Sequence, residues 1–289
     1  MLTIFTPTYN RDYIIGRVYK SLLAQTNKNF EWIIVDDGST DNTENLVNGY
    51  KKENKMNISY YKQKNQGKPI AHNVGVQEAN GDLFTCLDSD DYFTPNAVET
   101  IMNKWNEVKE NKKCIGIVGM RINQEGKPVK KTYMPNIEYS TLKDLYNKYK
   151  YKGDTILIFR REILKKYEFP KIEGEKFIPE TYLYYQMDEE GKLAIIQEGI
   201  YVCEYLEDGY TKNVRKIIKN NPKGYTLVAK QAMQLSKNVK EKYIAAAKYV
   251  LGNILAKEKG YIRNSPKKIL TILAIPAAYI VYFRKYRYM

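Results

Sequence analysis

The chain has 289 residues, 43% of them hydrophobic, which excludes a disordered chain and allows a full core in one large domain or one domain plus an extension. Its three cysteines, Cys86, Cys114 and Cys203, show no CxxC spacing and read as free thiols of a reducing compartment. The net charge of +14 is uneven: Met1 to Glu110 carry twelve Lys and Arg against fifteen acids, net −3, whereas Thr211 to Met289 carry eighteen against two, net +16.

The opening "MLTIFTPTYN" lacks the basic start and longer apolar run of a signal peptide. Within it, "LTIFTPTYN" is a short β-rich run broken at Pro7. "DYIIGRVYKSLLAQT" places Ile14, Ile15, Val18, Leu22 and Leu23 at helical spacing. "EWIIVDDGS" is a second strand, "STDNTENLVNGYKKE" opens with helix N-cap types, and "ISYYKQ" is a third strand. "GKPIAHNVGVQEANG" predicts a helix with Pro69 in its first turn, and "DLFTCLDSDD" predicts a fourth strand. A helix follows in "TPNAVETIMNKWNEV". Strands alternating with helices predict an α/β fold, a mostly parallel central sheet flanked by helices on both faces. A continuous apolar strand such as "WIIV" fits a sheet buried on both sides.

In such sheets ligands bind beyond the carboxyl ends of the strands. Polar residues collect at those ends: Thr6 to Arg11, Asp36 to Ser39, and Asp88 to Asp91. "DGST" alone is a common turn and N-cap, and "TPTYN" or "DSDD" alone is any polar loop. Three clusters on one expected rim point instead to a site. Adjacent carboxylates there become tolerable if a divalent cation neutralises them, and hard oxygen ligands suit Mg or Mn, held by one or two carboxylates plus substrate phosphates. No Gly-rich P-loop and no GxGxxG is present, which leaves ATPase and dinucleotide readings without support.

The order and spacing of "TPTYNR" (6–11), "IIVDDGSTDNT" (33–43), "NQGKPIAHNVGVQEANGD" (65–82) and "CLDSDDYFTPNAVE" (86–99) resemble glycosyltransferase family two over roughly the first 110 residues. The resemblance implies a GT-A fold and an inverting transfer from a nucleotide sugar, most simply a UDP-sugar. It implies that Tyr9 packs beside the base, that Asp37 accepts from the base, and that Thr6, Pro7 and Arg11 line the same pocket. "DSD" would be the DxD motif, with Asp88 near the ribose and the metal, Asp90 on the metal and Asp91 close by as ligand or orienter. Lys68 and Asn73 fall in a segment that contacts the nucleotide in relatives. Relatives often carry Arg where this chain has His72, so no phosphate grip is carried over to that position, and a hydrogen-bonded helix residue is expected.

Inversion by a single displacement needs a carboxylate base for the acceptor hydroxyl. In the family it sits in an "ED"-like motif before a helix. Here "EKFIPETYLYYQMDEEG" offers Glu180, with Thr181 in place of the second acid. Glu173, Glu175 and Asp188 are rivals, Asp208 in "YLEDGYT" is a further acceptor-site candidate, and a first-turn acid favoured by the helix dipole is the structural alternative for Glu180. "GDTILIFRREIL" (153–164) and "KLAIIQEGIYVCEYL" (192–206) are expected to back the acceptor side and the sheet edge.

Three parts are therefore expected: a nucleotide-sugar half over 1–110, an acceptor half over 111–210, and a basic helical C-terminal extension over 211–289. The segment 266–289 contains an uncharged run from Ile269 to Phe283, fifteen residues long, interrupted by Pro276 and flanked by Lys267, Lys268, Arg284, Lys285 and Arg287. That is short of the roughly 20 residues needed to span a bilayer. Apolar body, basic flanks and tyrosines suit a helix lying in an anionic membrane surface, and packing on the domain or on a second subunit is the alternative. The expected protein is a hexosyl-type transferase peripheral on the inner face of a bacterial cell membrane, acting on a glycan or lipid-linked acceptor in surface polysaccharide synthesis. The altered "ED" position keeps a catalytically inactive scaffold open, and the basic tail keeps a nucleic-acid binder open, although no nucleic-acid motif appears.

Overall fold

Residues 1–204 and 210–289 are described by the structure, a computed structural model of the chain. The chain divides into two units: Met1–Glu168 with Met187–Glu204, and Phe169–Gln186 with Tyr205–Met289.

The first unit opens with β1 (Leu2–Thr8), α1 (Gly16–Leu23), β2 (Phe30–Asp36), α2 (Thr43–Glu53), β3 (Ile58–Lys62), α3 (Lys68–Glu78) and β4 (Leu83–Cys86). It continues through β5 (Tyr92–Phe93), α4 (Ala97–Val108), β6 (Cys114–Ile122), β7 (Tyr139–Ser140), α5 (Leu142–Asn147), β8 (Thr155–Arg160), α6 (Arg161–Leu164), β9 (Lys192–Ile195) and β10 (Tyr201–Val202). The strands join in the order β3-β2-β1-β4-β8-β6-β10-β5, with β9 beside β6 and β7 beside β9.

β3, β2, β1 and β4 run parallel, so Thr8, Asp36, Lys62 and Cys86 all end at one rim. β2 is paired on both sides and every one of its residues is buried, which suits the apolar run Trp32–Val35 at its centre. α1 covers this part of the sheet with Val18, Tyr19 and Leu22, and α4 turns Val98, Ile101, Met102 and Trp105 inward. Trp32, Leu2, Ile4, Ile34, Leu83 and Ile117 belong to the same core cluster. Each fully buried side chain of this size contributes about 1.5–3 kcal/mol over the exposed state.

The strand and helix expected over 153–164 are β8 and α6, and β8 sits inside the sheet, antiparallel to both β4 and β6. Two antiparallel steps restore the direction, so β6 runs parallel to β4 and ends at the same rim. β10 then pairs parallel with β6, placing Tyr201 opposite Arg121. α3 lies against β1 because Gly75 leaves room for Phe5: a Cβ there would be 2.4 Å from the Phe5 ring.

In the second unit, α7 (Thr181–Met187) precedes α8 (Tyr210–Asn220), α9 (Pro222–Leu235), α10 (Val239–Leu255) and α11 (Lys268–Lys285). The Glu175 carboxylate accepts from the N–H groups of Lys223 and Gly224 at 2.8 and 2.7 Å, and Asn221 Oδ1 accepts from Lys176 N–H at 2.7 Å. These bonds satisfy donors at the start of α9 and tie the segment before α7 to the helices that follow. Asn238 caps α10 by accepting from Lys240 and Glu241. Ala229, Met233, Ala245, Ala246, Tyr249 and Ala274 form one helical core, and Val250, Leu251, Ala278 and Tyr286 another.

Candidate active site

The first two strand ends are clipped together by short polar side chains. Asn10 takes a left-handed backbone, φ 51°, which Asn tolerates better than most residues. Its Oδ1 accepts from Thr40 N–H at 2.8 Å, and its own N–H donates to Ser39 Oγ at 2.8 Å. Arg11 N–H donates to Thr43 Oγ1, Asp12 N–H to Asp41, and Asn42 N–H to Asp12. The clip leaves Tyr9 47% exposed at the rim and sets the Arg11 guanidinium by the Tyr13 ring, 5.7 Å from its centroid.

The paired acids after β2 have separate duties. Asp36 is fully buried and accepts from Ser39 N–H at 2.6 Å and from the Tyr60 hydroxyl at 2.5 Å. Burial and the Asp36 charge raise the Tyr60 hydroxyl far above its ordinary pKa, so it stays a donor. Asp37 Oδ1 accepts from Gln63 Nε2 and Gln66 N–H, both at 2.7 Å, and Oδ2 from Gly67 N–H at 2.8 Å. Gly67 has φ 91°, which suits glycine and turns the chain into α3. Asp37 thus shapes the loop that delivers Lys68.

Lys68 meets the end of β4. Its Nζ lies 2.5 Å from Asp88 Oδ1. Arg121, from the end of β6, places Nη1 3.5 Å from Asp88 Oδ2 and 3.4 Å from Asp91 Oδ2. The Tyr201 hydroxyl donates to Asp91 Oδ2 at 2.7 Å and accepts from Asp88 N–H at 3.1 Å. The Arg121 guanidinium lies 4.1 Å from the Tyr201 ring centroid. Burial would raise the Asp88 carboxyl, but Lys68 and Arg121 outweigh it and hold Asp88 well below the carboxylate range. Asp91 is pushed upward by burial and by the Asp88 charge, against the pull of Arg121. Asp90 is also raised by burial and Asp88, and it makes no ion pair among the described residues.

The structure therefore brings Lys68, Asp88 and Asp91 together and adds Arg121 and Tyr201, which the sequence reading leaves out of the site. Beside the divalent cation expected for these acids, two cationic side chains answer Asp88 and Asp91. Thr6, expected in the pocket lining, is fully buried, and its hydroxyl accepts from Trp32 Nε1 at 2.9 Å. Pro7, Arg11 and Asn73 are half-buried. His72 is a core residue, edge-on to Phe5 and Phe84 with ring centroids 5.8 and 5.4 Å away. Asp208 lies outside the described residues.

Among the described residues, no three His, Cys, Asp or Glu are grouped as a metal cage. The donor set fits a hard cation that draws most of its ligands from a diphosphate and water, as Mg or Mn commonly does with one or two carboxylates. Asp90 is the carboxylate left available for it by the ion pairs of its neighbours.

The sequence model of glycosyl transferase family 2 matches residues 3–168, more than half the chain. The chain belongs to glycosyl transferase family 2. A relative from Campylobacter jejuni, GalNAc(5)-diNAcBac-PP-undecaprenol beta-1,3-glucosyltransferase, is 26% identical over 297 residues, covering 95% of this chain and 93% of that protein. The uncharacterized glycosyltransferase RC0461 of Rickettsia conorii is 37% identical over 133 residues, and the match spans 46% of this chain and only 21% of that protein. Staphylococcus aureus TarS residues 1–349 in complex with UDP-GlcNAc is similar with TM-score 0.63 at 20% identity, over 96% of this chain and 80% of that one. The mannosyltransferase PcManGT of Pyrobaculum calidifontis, in complex with GDP-Man and Mn2+, is similar with TM-score 0.52 at 18% identity, over 96% and 86%. The fold is GT-A, with a helical C-terminal part.

Two of the candidate bases of this family 2 chain have structural employment. Glu175 holds the start of α9, as described above. Asp188 accepts from the N–H groups of Leu142 and Lys143 at the start of α5, both at 2.8 Å. Burial pushes the Asp188 carboxyl up to about 6, against the pull of those two donors. Its folded pKa lies above the unfolded value, so the native state binds the extra proton between about pH 4 and 6. Stability from this group is present at the acid end of that window and is lost as pH rises through it. Asp188→Asn should flatten the fall in unfolding free energy between these pH values, by on the order of 1–2 kcal/mol, as read by urea titrations at stepped pH. Equal slopes in both proteins would contradict it.

Proposed function

We propose that the chain is an inverting, metal-assisted transferase that moves one sugar from a UDP-sugar to a glycan or lipid-linked glycan acceptor. Residues 1–110, joined by Arg121, hold the donor, and the rest of 111–210 selects the acceptor. The observation that carries this reading is the meeting of the "DSDD" acids with Lys68 and Arg121 at the strand-end rim of a family 2 chain. TarS bound to UDP-GlcNAc supports the donor class, PcManGT with Mn2+ supports a divalent cation, and the undecaprenol-linked substrate of the Campylobacter relative supports a lipid-linked acceptor. That acceptor class and the +16 charge of residues 211–289 support work at the inner face of a bacterial cell membrane.

Tyr9 offers an exposed ring for the base, and Pro7, Arg11 and Asn73 flank the donor. Lys68 and Arg121 supply positive charge for the diphosphate, with Asp91 and Tyr201 holding Arg121 in place. Mg or Mn, held by Asp90 with Asp88 beside it, would offset the charge that develops on the leaving diphosphate. In the transfer, the acceptor hydroxyl oxygen bonds to the anomeric carbon as the bond to the diphosphate oxygen breaks. The electron pair leaves on UDP, Glu180 takes the hydroxyl proton, and the anomeric configuration inverts.

The test is hydrolysis of UDP-, GDP- and dTDP-sugars with Mn, Mg or EDTA, alongside UDP binding by calorimetry. The expected result is slow metal-dependent cleavage of a UDP-sugar. Failure of UDP to bind with either metal would overturn the reading.

A further inference from the structure

We infer that the outward face of α11 is the surface by which this chain enters the headgroup layer of an anionic membrane. The inference rests on the membrane part of the proposed function and on none of its donor or catalytic assignments.

α11 is apolar on both faces but sorted by size. Its inward face carries Thr271, Ala274 and Ala278, all buried, and these small residues let the helix lie close on its neighbours. Its outward face carries Ile269, Ile272, Leu273, Ile280 and Phe283, all exposed, with Ile269 77% and Leu273 60% accessible. Their spacing of three, one, seven and three residues keeps them on a single stripe of a 3.6-residue helix. Water-facing helices put charge on that stripe; here the charges sit only at the two ends, Lys267 and Lys268 before it and Arg284, Lys285 and Arg287 after it. The stripe widens onto α10, where the Tyr243 hydroxyl donates to the Leu273 carbonyl at 3.5 Å beside exposed Ile244.

An occupant must therefore be apolar in the middle and negative at the edges over about 27 Å, the length of eighteen helical residues. The interface of an anionic bilayer has that profile. Depth is limited by Pro276, exposed within the stripe, whose missing N–H leaves the Ile272 carbonyl without its helical donor. Such a carbonyl needs water or headgroups within reach. Among the described residues, no helix is long and apolar enough to cross a membrane. A helix lying flat with its stripe downward meets both conditions.

The experiment is co-sedimentation of the full chain with vesicles of phosphatidylglycerol and phosphatidylethanolamine, and with phosphatidylcholine alone, at low and high salt. Leu273→Asp with Ile280→Asp is compared with wild type; both sites are exposed, and an unchanged melting curve certifies the fold, with Leu273→Ser and Ile280→Ser as the milder pair. Wild type should sediment with the anionic vesicles and keep part of its binding at high salt, and the Asp pair should lose at least about tenfold in partitioning. Undiminished sedimentation of the Asp pair would overturn the inference while leaving a charge-only membrane contact. Wild type that sediments with no vesicle would overturn the membrane reading itself. A wild-type dimer split by the Asp pair, without vesicle binding, would assign the face to a second copy and overturn the inference as well.

Discussion

Asp90→Ala should abolish Mn-dependent UDP binding and lower sugar transfer by about a thousandfold or more, since it removes a cation that stabilises the leaving group. Three neighbouring carboxylates share the rim, and their surroundings divide the work. Asp88 is held ionised by Lys68 and Arg121, and Asp91 is tied to Arg121 and the Tyr201 hydroxyl. Asp90 alone of the three makes no ion pair among the described residues. Alanine there removes a ligand without leaving a buried cation unpaired, so the fold should be unaffected. Calorimetry of UDP with Mn, with Mg and with EDTA, beside a melting curve, reads both statements. UDP affinity that stays equal to wild type in Mn would remove Asp90 from the metal site.

The acids of this site are legible in the sequence because charge at the tip of an apolar strand is expensive, so their presence at two strand ends needs a reason. Their partners are not. Arg121 ends "CIGIVGMR", an apolar run whose place beside β8 and β10 depends on pairings dozens of residues apart. A lone cation at the tip of an apolar run is the mirror image of the acid signal, and it is the one clue available. Tyr201 reads as an ordinary strand aromatic until the register sets it opposite Arg121. The employment of Thr6 is not legible either: strand residues alternate between faces, and only the tertiary fold brings the Trp32 indole to its hydroxyl. That Asp37 also accepts from three donors of the polar loop "QKNQG" is not legible in the sequence either. In α11 the apolar run is plain, but with apolar residues on both sides no periodicity says which faces outward. Side-chain size, small inward and large outward, is what separates the two.

Glu180→Gln should leave UDP-sugar binding intact and reduce transfer by about a hundred- to ten-thousandfold, the range that a positioned general base supplies. The alternatives have narrowed. Glu175 and Asp188 each hold the start of a helix, and Glu173 is exposed in a turn. Glu180 sits immediately before α7, and its backbone carbonyl accepts from Leu183 and Tyr184 at 3.1 and 3.3 Å. An acid at that place also gains from the helix dipole, so a purely structural role predicts something different: a stability loss of about 0.3–1 kcal/mol, with transfer unchanged. Glutamine separates the two, since it keeps the shape and one acceptor oxygen but takes up no proton. Transfer rate, donor affinity and melting temperature measured on one preparation distinguish the two roles. A large loss of rate at constant affinity assigns the base, and a lower melting temperature with normal rate returns Glu180 to its helix.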